Sequence, residues 1–174
     1  MLSDFVSEYG RYRVLGEKAL AQTPDAALNH VPSPEGNSAA MIVHHVSGNL
    51  ASRFTDFLTS DGEKPWRDRE GEFAERTFSR DEVNAMWAKG FAVLRTALDG
   101  LTDADLAREV TIRGQALSVH AALARSSTHL SYHVGQLVLL ARELAVAPWQ
   151  SLSIPRGQTA AYNAAPTRER GPRA

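Results

Sequence analysis

Four segments of this chain place large apolar side chains at steps of three and four residues, and that spacing points to a helical bundle. The first runs from about Leu2 to Ala21, with Phe5, Tyr9, Tyr12, Leu15 and Leu20 along one side. The second opens after Asn37 or Ser38, either of which can cap it, and reads to about Thr59. Its stripe is Ile42, Val46, Leu50, Phe54 and Phe57. Ser79-Arg-Asp-Glu82 has the form of a capping box, and a third helix follows to about Leu98 with Met86, Trp87, Phe91 and Leu94 inward. The fourth, capped by Ser118 and stopped before Pro148, carries Val119, Leu123, Leu130, Val134, Leu137, Val138 and Leu144. A helix that is apolar on one face must bury that face against another element. The expected fold class is therefore all-α.

The connections are read from their breakers. Thr23-Pro24, Pro32, Pro34 and Gly36 make the first loop. Residues 60–78 form a polar connection with Gly62, Pro65 and Gly71, long for a bundle, and loops of that length commonly carry function. Thr102–Leu106 reads as one helical turn. Glu109–Leu117 alternates around Gly114 and reads as a small hairpin or extended excursion before the last long helix. From Trp149 onward Pro155, Gly157 and Pro166 forbid a long helix. The expected organisation is a bundle over residues 1–148 and an irregular extension over 149–174. The extension's end, from Thr167 on with three Arg, reads as a frayed terminus rather than a binding arm.

Composition removes several classes of chemistry. With no cysteine, disulfides, iron–sulfur clusters, thiolate zinc sites and a cysteine nucleophile are excluded, so a metal must rest on His, Asp or Glu. Net charge is −1 with both signs interspersed, so the basic face that nucleic acid requires is not expected. The start, Met1-Leu-Ser-Asp-Phe5, does not resemble a signal peptide, and the apolar runs fall far short of the ~18 residues of a membrane span. The default expectation is a cytoplasmic protein with no membrane partner.

Six histidines stand at positions 30, 44, 45, 120, 129 and 133. His129 and His133 are four apart in the fourth helix, so they lie about 40° apart around it and both rings can reach one ion. They border the apolar stripe rather than sit in its centre, where a site at a helix seam would lie and where an ordinary boundary residue would also lie. A bundle builds metal sites from side chains on facing helices, and His44 or His45 can supply a third ligand; helical position alone leaves that choice open. His120 falls on the other side of its stripe, and His30 sits in a loop.

These residues lie in motifs that resemble a known superfamily. Thr128-His-Leu-Ser-Tyr-His-Val-Gly-Gln-Leu137 resembles the H-x-x-x-H-x-G-Q signature of the DinB/YfiT-like metalloenzymes, and Ile42-Val-His-His-Val-Ser-Gly-Asn49 resembles their second-helix motif. Phe57–Arg67 and Ser153-Ile-Pro-Arg-Gly-Gln-Thr159 are similar to an uncharacterised branch within it. The resemblance spans about residues 2–163. It implies an up-and-down four-helix bundle, often dimeric, with a divalent ion on His45, His129 and His133; His45 is selected because it directly precedes Val-Ser-Gly-Asn. Relatives include thiol S-transferases and hydrolases, so a small-molecule substrate or thiol is the implied partner.

Three neutral imidazoles leave open positions on an ion, the mark of a catalytic rather than a structural site, and such a shell suits Zn, Ni, Co or Fe(II). Gln136 and Asn49 are candidates to line the same cleft. Arg156 is a candidate anion contact, with a surface role as the alternative. Trp66 and Arg67 read as pocket wall or loop anchor. Two functions compete: a metal-dependent transferase or hydrolase, and a non-catalytic, dimerising, stress-associated bundle in which the ion only fastens helices. The resemblance also generates a test of assembly. Light scattering at micromolar concentration should give about twice the ~19 kDa of one chain; a single-chain mass throughout would contradict the expected homodimer.

Overall fold

The computed structural model describes residues 1–167, so the arginines expected to fray at positions 168, 170 and 173 lie outside the described residues. Four long helices carry the fold: α1 (Leu2–Gln22), α2 (Ala39–Phe54), α3 (Arg80–Asp99) and α4 (Val119–Leu144). A two-stranded antiparallel hairpin, β1 (Glu109–Ile112) and β2 (Gln115–Ser118), sits directly before α4. The molecule is thus all-α with one small extended excursion. Among the described residues no helix is long and apolar enough to cross a membrane.

The apolar stripes become one core. Tyr9 and Leu20 of α1, Ile42, Val46 and Leu50 of α2, Trp87, Phe91 and Leu94 of α3, and Leu123, Leu130, Val134 and Leu137 of α4 are all buried in it. The Tyr9 hydroxyl donates to the Leu123 carbonyl at 2.9 Å, which fastens α1 to α4. Helix starts follow their caps. Ser38 accepts from the Met41 N–H, Ser79 and Glu82 complete a capping box, and Ser118 accepts from the Ala121 N–H.

Two boundaries differ from the sequence expectation. Helix α2 ends at Phe54, not near Thr59: Thr55 is extended and Asp56 adopts φ +48, a left-handed conformation an Asp tolerates. Phe57 is still buried, but from the turn rather than from the helix. Within the segment read as irregular, Thr159–Ala164 forms a short helix, α5, in the breaker-free window between Gly157 and Pro166. That segment is tied back to α1, since Gln22 and Gln150 exchange two hydrogen bonds.

The hairpin is held to the loop after α2 chiefly by the Asp61 carboxylate, with Glu63 pairing with Arg113 beside it. Arg113 and Gly114 both have positive φ, +56 and +71, the twist a two-residue hairpin turn needs. Asp61 accepts from the Arg113 N–H at 2.8 Å and the Gly114 N–H at 2.7 Å, while the Gly62 N–H donates to the Thr111 carbonyl. The backbone N–H groups of Glu63, Gly114 and Arg113 hold the Asp61 carboxyl down at about 2. This clasp carries the Arg113 side chain to the mouth of the cavity described below.

Helices α2 and α3 approach closely because small residues meet. A Cβ on Gly90 would lie 2.9 Å from the Ser47 Cα, and the Ser47 hydroxyl donates to the Met86 carbonyl at 2.7 Å. Gly90→Ala should therefore destabilise the chain: overpacking costs about 1–3 kcal/mol, against a helix-propensity gain of about 1 kcal/mol. Gly135→Ala, where the added Cβ meets nothing within 4 Å, should stabilise it by about 0.5–1 kcal/mol. Urea midpoints of the two variants that moved in the same direction would contradict this packing.

Candidate metal centre

Three histidines from two helices converge. His45 projects from α2; His129 and His133 project from successive turns of α4. The His45 Nε2 and the His133 Nε2 each lie 3.2 Å from the His129 Nε2. His45 and His133 are buried, at 4% and 7% exposure, and His129 is half-buried. Together they form a group that could hold a metal ion.

The other ring nitrogens explain why the Nε2 atoms face inward. The His45 Nδ1–H donates to a Glu72 carboxylate oxygen at 2.8 Å, and the His133 Nδ1–H donates to the Gln136 side-chain carbonyl at 2.8 Å. With Nδ1 carrying the hydrogen, a neutral imidazole presents a bare lone pair at Nε2, and His45 and His133 both turn that nitrogen toward His129. The His129 Nε2 faces both of them and can donate to one at most. Apposed lone pairs are repulsive between themselves and are satisfied by a shared cation. A spacing of 3.2 Å is also what two ligands ~2.1 Å from one ion subtend at an angle of about 100°. The donor set fits a divalent cation on both counts.

Glu72 is buried at 3% exposure. The Arg67 guanidinium meets it with two parallel hydrogen bonds, Nε and Nη2 each at 2.8 Å, the fork geometry that suits Arg to a carboxylate. Burial works to raise the Glu72 carboxyl, but the hydrogen bonds from His45 and Arg67 and the charge of Arg67 outweigh it and hold the group below the ordinary carboxylate range. A Cβ at Gly48 would lie 2.1 Å from the Glu72 Oε1, so the glycine three residues after His45 is the notch that admits the carboxylate.

Burial, followed by the neighbouring rings of His133 and His45 and the charges of Arg67 and Arg53, pushes His129 down to about 3. Burial lowers His133 as well, with Gln136 opposing. Both rings are held in the neutral form a metal requires.

The group forms the floor of a cavity of about 430 Å³. Asn49 and Gln136, both candidates from sequence, line it, and Gln136 makes the hydrogen bond to His133 noted above. Arg67 is both loop anchor and cavity wall, whereas Trp66 is exposed. His44 turns away, its ring edge-on to Phe78. His120 is exposed against Phe5, and His30 is exposed in its loop. Arg156 is exposed in the C-terminal segment and does not line the cavity. Glu72 was not singled out by sequence reasoning. Asp61, Glu63, Asp68, Glu70, Glu72 and Glu75 all lie in the same connection, and no local pattern marks one of them as the partner of a histidine.

A family model described as protein of unknown function, DUF1572, matches residues 1–158. No curated protein matches the chain. Among solved structures, a DinB-like protein of Bacillus subtilis (YjoA) is similar, with a TM-score of 0.57 and 20% identity, over 86% of this chain and 95% of that one. The two share the DinB-like fold.

Two predictions follow from the geometry. His133→Ala and His129→Ala should each abolish most bound metal in elemental analysis, and Glu72→Gln should weaken metal affinity by about 10–100-fold. His120→Ala, His30→Ala and His44→Ala should leave it unchanged; metal that followed His44 instead of His45 would contradict the arrangement. The second concerns pH in the metal-free chain. His129 moves from 6.5 in the unfolded chain to about 3 when folded, so the folded state favours its neutral form. That stabilisation is complete above about 6.5 and is lost as pH falls toward 3. Urea midpoints should decline across this window more steeply for the native chain than for His129→Gln; parallel profiles would contradict it.

Proposed function

We propose that this chain, which belongs to the DUF1572 family of proteins of unknown function, is a metal-dependent enzyme acting on a small molecule, as a thiol-dependent S-transferase or a hydrolase. The observation that carries this reading is that the three inward-facing Nε2 atoms lie at the floor of an accessible cavity of about 430 Å³ rather than inside a sealed core. A cavity of this size takes a metabolite-sized molecule.

His45, His129 and His133 would hold the ion. When bound, a divalent cation supplies Lewis acidity, which lowers the pKa of a coordinated water or thiol or polarises a carbonyl. The chain's own residues do the rest. Glu72 and Gln136 fix the tautomer and orientation of two ligand rings, a duty whose loss ordinarily costs metal affinity and activity together. Arg67 keeps Glu72 ionised and in place. Phe54, Phe57 and Phe73 line the walls with apolar surface that limits water around a bound molecule.

The test is turnover by the full chain loaded in turn with Zn, Ni, Co and Fe(II), against a panel of electrophiles with low-molecular-weight thiols and a panel of small esters and amides. The expected result is turnover that disappears on stripping the metal and returns on reloading, and that His129→Ala removes. Metal that raises the unfolding midpoint while no member of either panel reacts would overturn the enzymatic reading and leave an ion that only fastens α2 to α4.

A further inference from the structure

Across the whole chain basic and acidic residues nearly balance, 19 Lys and Arg against 20 Asp and Glu. The cavity wall departs from that balance. Arg53, Arg67, Arg69, Arg113 and Arg125 line it, and among the described residues no Asp or Glu does. Such a concentration of one sign in a concave site focuses the field on whatever enters.

The carboxylates behind the wall neutralise only part of this charge. Arg67 is fully engaged by Glu72. Arg69 pairs with the exposed Glu70 and lies over the Phe73 ring. Arg53 and Arg113 share one carboxylate, Glu63, at 3.2 and 2.9 Å. Arg125 is exposed and has no ion pair or hydrogen bond from its guanidinium among the described residues. Three guanidinium groups therefore stand against a single carboxylate. Next to Arg125, and one helical turn before His129, the Ser126 hydroxyl is buried on the cavity wall beside the Tyr9 hydroxyl, which donates its own hydrogen to the Leu123 carbonyl and can accept from Ser126. Between these groups Phe54, Phe57, Ile112 and Tyr132 give the wall an apolar stretch, with the amides of Asn37, Asn49 and Gln136 also lining the cavity.

We propose that the cavity takes a small organic anion, a molecule with a carboxylate or phosphate group on an apolar body, whose oxyanion is held by Arg113 and Arg125 while its body lies against the aromatic wall above the three histidines. This names the substrate class of the reading given above and rests on it for the reaction alone, because the arginine contacts do not require a metal. Arginine presents paired N–H donors to a carboxylate or phosphate, and hydrogen bonds to a charged group are the stronger kind. The same arginines disfavour a cationic small molecule, and Phe54, Phe57 and Ile112 favour a ligand with an apolar part over a fully polar one.

Calorimetric titration of the full chain, metal-stripped and zinc-loaded, tests this with three probes of similar shape: phenylacetate, phenyl phosphate and neutral phenylacetamide. At least one anion should bind on the order of tenfold tighter than the amide in both metal states, and its affinity should fall as salt rises. The tighter of the two anions identifies the oxyanion. The double variant Arg113→Gln/Arg125→Gln should lose about tenfold in anion affinity with zinc content, unfolding midpoint and amide binding unchanged. Anions that bind no tighter than the amide overturn the proposal. So does anion binding that needs zinc and ignores the double variant, since the ion alone would then be the anchor. A chain that binds the anions but turns over nothing would sink the enzymatic reading and leave this one standing.

Discussion

A carboxylate buried between a guanidinium and an imidazole holds this site together. Glu72 alone in the interior would be costly, because an ionised group loses its water on burial. Arg67 returns two hydrogen bonds and a charge, and His45 returns a third hydrogen bond. Removing one partner from such a buried pair typically costs about 3–5 kcal/mol, because the other is left uncompensated. Much depends on this one cluster. It pins the long connection between α2 and α3 against the bundle, fixes which nitrogen of His45 carries hydrogen, and aims the remaining lone pair at α4. Gly48 exists as a notch to receive it.

The second consequence is electronic. Once Glu72 and Gln136 have set two tautomers, three imidazoles face one another with more acceptors than hydrogens. Burial, the neighbouring rings and the surrounding arginines hold His129 neutral, and its Nε2 has at most one hydrogen to offer the two nitrogens facing it. Such an arrangement is better satisfied by a shared cation than by the hydrogens the rings supply themselves, which is why this group is one that could hold a metal ion. The cationic wall extends the same logic outward, since an anion entering it would relieve the remaining charge.

Much of the fold was legible because the helical stripes are long and regular, and because Ser38, the Ser79–Glu82 box and Ser118 mark the helix starts. The end of α2 was not, since Phe57 continues the stripe while the backbone has already turned at Asp56; apolar periodicity follows burial, not hydrogen bonding. The pairing of His129 with His133 follows from helical pitch. The choice of His45 over His44 came only from family resemblance, because the two sit at similar angles to the stripe, and the structure turns His44 toward Phe78. Glu72 was illegible for a different reason: its role depends on how an irregular loop folds back, and no periodicity governs that. The arginine wall was hidden likewise. Its members come from α2, the loop, the hairpin and α4, and only tertiary structure assembles them.

The central claim is that His45, His129 and His133 share one divalent ion. X-ray absorption at the zinc edge, combined with anomalous diffraction from the zinc-loaded full chain, tests it most directly. The account predicts a single anomalous peak between the three Nε2 atoms, with three nitrogen ligands at ~2.0–2.1 Å and at least one further light-atom ligand. A zinc site elsewhere on the chain, or a peak at this position lacking any one of the three histidines as a ligand, would contradict it.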